Sequence, residues 1–278
     1  MIAIIELALR EDFGKHGDVT SDCVAGVGKP GAATIISRQP GALCGLGVAE
    51  LVFKSVSAEL SISSQYRDGD SVAAGCAVMK IQGRIQDILK AERTALNFLQ
   101  RLSGVATMTR KFVDAISGTK AKILDTRKTT PGLRQLEKQA VLAGGGMNHR
   151  FGLYDMVLLK ENHVAAAGGL AEATRSVRKS LVSKGLQLKV EVEVTNLSQV
   201  KEALALDIDR LMLDNMDLQE IRRAVALIDG CMETEVSGGV TLQTVRQIAE
   251  TGVDFISVGA LTHSAPAFDF SLLLENHV

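Results

Sequence analysis

Apolar positions change spacing several times along the first hundred residues. Residues 2–11 repeat them at helical intervals, which predicts an amphipathic helix, and a glycine-bearing turn follows at 14–18. Strands are predicted at 32–37 and 59–63, with a helix at 47–56 between them. The apolar run 72–81 is interrupted by Gly75, which predicts short strands joined by a turn. Ile88, Leu89, Ala91, Ala95, Leu96 and Leu99 recur at helical spacing and predict a helix over 87–102. No unit repeats in this region, so it predicts a sandwich of strands and helices.

From about residue 120 the pattern becomes regular. Short apolar strands are predicted at 122–125, 156–160, 188–194, 211–214, 234–236 and 255–258, and helices at 170–183, 197–205, 218–228 and 242–250. Strands separated by helical crossovers run parallel, and this many successive units favour a barrel over an open sheet. Asp125, Lys160, Glu193, Asp214, Ser237 and Gly259 all fall at or just beyond the C-terminal end of a strand. A barrel gathers those ends on one rim, where active sites form.

The chain has 278 residues, with 46% hydrophobic but only 4% aromatic and no Trp, so its core must rest on Ala, Val, Ile and Leu. A formal net charge of −1 argues against a broad basic field for nucleic acid. No run reaches the ~20 apolar residues of a membrane span, and no secretory leader is evident. Cys23, Cys44, Cys76 and Cys231 form no C-x-x-C pair and lie at no metal-ligand spacing, which predicts reduced thiols and a cytoplasmic protein.

Against this neutral background the cations are concentrated. Residues 125–134, Asp-Thr-Arg-Lys-Thr-Thr-Pro-Gly-Leu-Arg, follow a strand and hold Arg127, Lys128 and Arg134 around a Pro-Gly turn. Arginine offers a planar fork for carboxylate or phosphate, and lysine a compact charge. Gly144-Gly145-Gly146 lets backbone approach a ligand, and His149 and Arg150 add donors just after it. Lys160 closes another strand. So many cations in one stretch imply a ligand with several negative groups. On the acidic side, Glu193 and Asp214 end neighbouring strands. They suit either a water-mediated Mg²⁺ site or hydrogen bonds to ribose hydroxyls. A zinc site is disfavoured because no His falls at the spacing required. Ser237-Gly238-Gly239, ahead of a helix that Thr241 is expected to cap, predicts a phosphate cradle, with Ser257-Val258-Gly259 one unit later. No Ser–His–Asp or Cys–His arrangement suggests a covalent intermediate.

These motifs resemble those of the quinolinate phosphoribosyltransferases, also called nicotinate-nucleotide pyrophosphorylases (carboxylating). The likeness lies in Glu92-Arg-Thr-Ala-Leu-Asn97, Ser103-Gly-Val-Ala-Thr107, Asp125-Thr-Arg-Lys-Thr129, Gly144-Gly-Gly-Met-Asn-His-Arg150, Leu159-Lys-Glu-Asn-His163, Glu191-Val-Glu-Val194, Leu213-Asp-Asn215, Ser237-Gly-Gly239 and Ser257-Val-Gly-Ala260. It runs from about residue 9 to 273. The resemblance implies an N-terminal α/β sandwich domain over 1–105, with the tail 265–278 packing back on it. It also implies an incomplete, seven-stranded α/β barrel over 106–264. The implied reaction transfers phosphoribosyl from phosphoribosyl pyrophosphate to quinolinate with decarboxylation, giving nicotinate mononucleotide for NAD biosynthesis. Arg127, His149, Arg150 and Lys160 would bind the quinolinate carboxylates, and Lys128 would reach both substrates. Glu193 and Asp214 would hold ribose hydroxyls and Mg²⁺, with Lys128, Glu193 and Asp214 as the catalytic set. Ser237, Gly238, Gly239, Ser257 and Gly259 would cradle the 5-phosphate. The expected assembly is a homodimer with a shared active site, compatible with a hexamer of dimers, in which Arg93 acts on the partner's site. One departure stands out: Lys138-Gln-Ala-Val141 occupies a place where relatives often have an aromatic after the Lys. A Schiff-base aldolase using Lys160 is the main rival on the same barrel; a paralogous phosphoribosyltransferase of molybdenum-transport operons and a non-catalytic sensor are the others.

Overall fold

The structure is a computed structural model, and it describes residues 2–24 and 28–275. In chain order the elements are α1 (Ile2–Phe13), α2 (Val19–Cys23), β1 (Pro30–Ser37), β2 (Gly41–Ala42), α3 (Leu46–Val56), β3 (Ser61–Ser63), β4 (Ser71–Val72), β5 (Ala77–Arg84) and α4 (Ile85–Ala115). They continue with β6 (Lys122–Leu124), α5 (Arg134–Ala143), β7 (Val157–Leu159), α6 (Glu161–Ala167), α7 (Leu170–Ser183), β8 (Val190–Val194), α8 (Leu197–Ala203), β9 (Arg210–Asp214) and α9 (Leu218–Ile228). The last are β10 (Glu233–Ser237), α10 (Val245–Ala249), β11 (Phe255–Ser257), α11 (Ala260–His263) and β12 (Phe270–Leu274). By packing the chain divides into two compact units. One comprises Met1–Arg110, Thr129–Gly145 and Leu261–Val278; the other comprises Lys111–Lys128 and Gly146–Ala260.

The first unit holds an antiparallel sheet in the order β12-β1-β5-β3 and a small β2-β4 pair. Pro30 opens β1, a place where a missing ladder donor is tolerated, and Gly75 turns the chain into β5 at φ +86. α4 lays Ile88, Ala91, Ala95, Leu99 and Leu102 along one buried stripe. The helix expected to stop at 102 continues to Ala115, and Gly104 within it is required by close packing: a Cβ there would stand 2.2 Å from the Pro266 carbonyl oxygen, so only glycine fits. α5 and β12 are among the elements that had no clear sequence signal. α5 buries Glu137 and Lys138, with Glu137 accepting from Arg101 Nε at 2.9 Å and Nη2 at 2.7 Å. β12 pairs along β1.

The second unit is a parallel sheet in the order β6-β11-β10-β9-β8-β7. The last strand of the series pairs with the first, as in a barrel. A single-residue parallel bridge, Leu124 to Met147, adds a seventh position beside β6. Among the described residues no ladder joins that bridge to β7, so the wall is open there. Two of the helices between the strands start on side-chain caps. Asn196 accepts from the Gln199 N–H at α8, and Asp217 with Glu220 forms a capping box at α9. In register, Ser237 stands opposite Asp214, and Glu193 opposite Met212. The strand ends therefore reach one rim together. Among the described residues no helix is long and apolar enough to cross a membrane.

Candidate active site

The rim of the second unit encloses a cavity of about 460 Å³, within the range of small-molecule sites. Arg127, Lys128, His149, Arg150, Lys160, Glu193, Asp214, Ser237, Gly238, Gly239 and Ser257 all line it, joined by Thr126, Leu158, Met212, Asn215 and Glu235. Two of the expected site residues do not. Gly259 lies just past β11 outside the lining, and Arg93 is an exposed residue of α4 in the first unit.

Backbone chemistry shapes each wall. After β6, the wholly buried Asp125 accepts the His149 N–H at 2.9 Å, so two segments distant in sequence are tied at the rim. The Lys128 N–H donates to Thr126 Oγ1 at 3.0 Å and turns the cationic loop. Arg150 Nη1 donates to the Met156 carbonyl at 3.3 Å. Burial and the neighbouring Arg127 guanidinium both lower the Arg150 pKa. The Glu191 and Asp155 carboxylates act on it in the opposite direction. Lys160 and Glu193 form an ion pair across β7 and β8.

The opposite wall is a continuous backbone turn. Asn215 takes φ +54 beyond β9, donates its N–H to the Ser237 carbonyl at 2.9 Å and its Nδ2 to Asp214 at 2.7 Å. Gly238 takes φ +94 beside it, and a Cβ there would lie 2.2 Å from Asn215 Oδ1. Gly239, at φ +60, has open space where its Cβ would be. The expectation that Thr241 caps a helix starting at 242 is corrected. The Thr241 N–H is used on Thr244 Oγ1 at 3.0 Å, residues 241–244 form a turn, and α10 starts at Val245 with Thr244 at the cap. The glycine turn faces the cavity, while the helix behind it has only five residues.

Sequence reasoning missed the floor. Glu191 and Glu235 are completely buried, yet both reach His149 Nε2, at 2.9 and 3.4 Å. Arg210 donates from Nη1 to Glu235 at 3.0 Å and lies over the Phe255 ring at 4.1 Å. Strand alternation carried the signal. Glu191 shares a face with Glu193, Arg210 with Met212 and Asp214, and Glu235 with Ser237. A charge two residues before an inward-facing rim residue must itself point into the barrel. Burial disfavours a charged His149, but the Glu191 and Glu235 carboxylates outweigh it and raise the imidazole to about 9. Burial likewise raises Glu191 to about 7. The Arg150 N–H, 2.7 Å from His149 Nδ1, needs a lone pair there and opposes the second proton. The extra proton thus belongs to the His149–Glu191 pair jointly.

His149, Glu191 and Glu235 also bring three potential metal-ligand atoms within 4.8 Å of one another, a grouping the sequence spacing had disfavoured. The Arg210 guanidinium already serves Glu235 there, which suits a proton better than a second cation.

The chain matches two family descriptions in tandem: quinolinate phosphoribosyl transferase, N-terminal domain, over residues 18–103, and quinolinate phosphoribosyl transferase, C-terminal domain, over residues 105–273. Among curated proteins it is 43% identical over 290 residues to the mitochondrial quinolinate phosphoribosyltransferase (decarboxylating) 2a of Nicotiana tabacum, covering 99% of this chain and 82% of the relative. It is 44% identical to the chloroplastic nicotinate-nucleotide pyrophosphorylase (carboxylating) of Arabidopsis thaliana, covering 99% and 83%. The solved nicotinate-nucleotide pyrophosphorylase of Francisella tularensis superposes with a TM-score of 0.94 at 42% identity, covering 99% of this chain and 95% of the other. With both halves of the chain matched and the agreement carried through the whole fold, this chain belongs to the quinolinate phosphoribosyltransferase family.

Proposed function

We propose that this chain transfers the phosphoribosyl group of phosphoribosyl pyrophosphate to quinolinate. The products are nicotinate mononucleotide, carbon dioxide and pyrophosphate, a step of NAD biosynthesis. The observation that carries the reading is the convergence of Arg127, Lys128, Arg150 and Lys160 with Glu193, Asp214 and the Ser237-Gly238-Gly239 turn on one cavity.

In this reading Arg127, Arg150 and Lys160 bind the two carboxylates of quinolinate and fix the pyridine nitrogen against the anomeric carbon. Lys128 lies where the acid and the pyrophosphate meet. Ser237, Gly238 and Gly239 take the 5-phosphate, aided by Ser257 and Gly259. The nitrogen attacks the anomeric carbon as the bond to pyrophosphate breaks. Positive charge that develops on the sugar is stabilised by Glu193 and Asp214. The ring nitrogen is then quaternary, and the ring accepts the electron pair as the adjacent carboxylate leaves as carbon dioxide. A proton replaces it.

Two carboxylates are too few for an all-protein cage, but Mg²⁺ commonly takes one or two carboxylates and completes its shell with water and substrate phosphates. Glu193 and Asp214 fit that role, with Glu193 also paired to Lys160. Bound Mg²⁺ would neutralise charge on the departing pyrophosphate.

The same reading makes the protein a homodimer, compatible with a hexamer of dimers, in which the exposed Arg93 completes the partner's site. The four cysteines are free thiols, which supports a reducing compartment, the cytoplasm. Incubation with quinolinate, phosphoribosyl pyrophosphate and Mg²⁺, followed by mass detection of nicotinate mononucleotide, tests the assignment. Absence of that product with both substrates consumed by neither route would overturn it.

A further inference from the structure

Beneath the cavity six charged side chains are linked from the surface of the second unit into its interior. Lys189 Nζ meets Glu233 at 3.0 Å, and Arg210 meets the same carboxylate at 3.0 Å and Glu235 at 3.0 Å. Glu235 and Glu191 then meet His149. The signs alternate from Lys189 to Glu235, and His149 then meets two acids at one nitrogen. Burying two carboxylates here is expensive, and aliphatic side chains of similar volume would serve a plain core at least as well. Glu191 Oε1 and Glu235 Oε1 are moreover buried without hydrogen-bond partners, so the acids are not arranged for their own satisfaction.

What they do hold is His149. Its Nε2 is taken by the acids, its Nδ1 receives the Arg150 N–H at 2.7 Å, and its own N–H is anchored on Asp125. The ring is fixed at both nitrogens while Asp125 fixes its backbone, and the Arg150 backbone N–H is bonded to the ring. We propose that Glu191 and Glu235 are positioning residues for the acid-binding subsite: they lock the His149 ring and through it set the place of the Arg150 backbone and side chain, while Arg210 pairs with Glu235. His149 then acts on quinolinate chiefly through Arg150. The proposal rests on the quinolinate reading given above, and the experiments separate the two.

Glu235→Gln and Glu191→Gln keep shape and remove charge. Each should raise the KM for quinolinate on the order of ten- to a hundredfold, the scale seen when groups that orient a binding histidine are removed. The KM for phosphoribosyl pyrophosphate should stay within about twofold, because the lost contact is behind one subsite only. The double variant Glu235→Gln/Arg210→Gln removes both charges. It should recover folding stability without recovering the quinolinate KM. Equal rises for both substrates, or a return of the quinolinate KM in the charge-balanced double variant, would reduce the two acids to a purely structural role. A wild-type chain with no turnover of quinolinate would sink the functional reading instead. The positioning claim would still be read from ¹⁵N-histidine spectra of the whole protein without substrate. A slowly exchanging His149 Nε2–H is expected in the wild type and should be lost in both single variants; its persistence would refute the proposal. A stoichiometric transition metal in the purified protein would do so as well.

Discussion

Replacing Arg210 by Met tests whether the charges inside the second unit are balanced as the geometry states. The substitution removes a guanidinium that is only 10% exposed and leaves most of the aliphatic volume in place. Glu233 keeps Lys189 at 3.0 Å and is 37% exposed, so its loss is that of a surface pair, at most about 1 kcal/mol. Glu235 is 0% exposed and keeps the longer 3.4 Å contact to His149. Removing one partner of a buried ion pair costs about 3–5 kcal/mol, because the surviving charge is not solvated and has lost its nearest opposite charge. The contact with Phe255 adds roughly 0.5–1 kcal/mol that Met partly restores. The expected loss is about 3–5 kcal/mol, a large share of the ~5–15 kcal/mol that typically separates folded from unfolded chains. Urea titration followed by circular dichroism should show a lower midpoint with an unchanged slope. Adding Glu235→Gln to Arg210→Met should regain most of the loss, since the uncompensated acid is then gone. A deficit below about 1 kcal/mol for the single variant, or no recovery in the double variant, would refute the argument that Arg210 neutralises Glu235.

Arg127→Ala should weaken quinolinate binding by about 1.5–3 kcal/mol, the worth of a charge-assisted contact, and phosphoribosyl pyrophosphate binding far less; calorimetry with each ligand distinguishes them. If Arg93 serves the partner's site, mixing inactive Arg93→Ala with inactive Lys160→Ala should restore part of the activity after subunit exchange, whereas no recovery would confine Arg93 to its own chain. Gly238→Ala puts a side chain into a φ +94 backbone next to Asn215, so it should cost about 1–2 kcal/mol in strain and raise the KM for phosphoribosyl pyrophosphate more than that for quinolinate. The His149–Glu191 pair binds a proton in the folded chain, with values raised to about 9 and about 7 from the ordinary 6.5 and 4.5. Its contribution to stability is therefore full only below about pH 4.5 and is lost as the pH rises from there to about 9, first through Glu191 and then through His149; urea midpoints that climb across that window would contradict the assignment.

Much of the rim was legible because Asp125, Lys160, Glu193, Asp214 and Ser237 end or directly follow strands, and the alternation of apolar strands with amphipathic helices marks those ends. His149 and Arg150 follow no predicted strand; they stood out only as donors after a run of glycines, and the shared edge on which they lie was not readable. The extent of α4 was not legible, since a glycine inside a helical pattern reads as a weak point until the Pro266 carbonyl that requires it is seen. The start of α10 failed for a different reason: Thr241 and Thr244 are both good cap residues, and only the local turn decides between them.

The floor was hidden for a more general reason. Glu191, Arg210 and Glu235 sit among apolar neighbours in strands whose two faces are both covered, where the usual expectation is a continuous hydrophobic run. Each then looks like an interruption of a strand, not part of a site. Taken together they are one feature, because alternation sends all three to the inside of the same sheet, where their charges meet one another and His149. The His149–Glu191 contact spans 42 positions in sequence, so no local motif announces it. Periodicity applied to the charged positions of a barrel, as strictly as to its apolar ones, would have grouped these residues. It would not have supplied the distances that make the group a support for Arg150 and distinguish it from a metal site, because those depend on where Asp125 anchors the loop after β6.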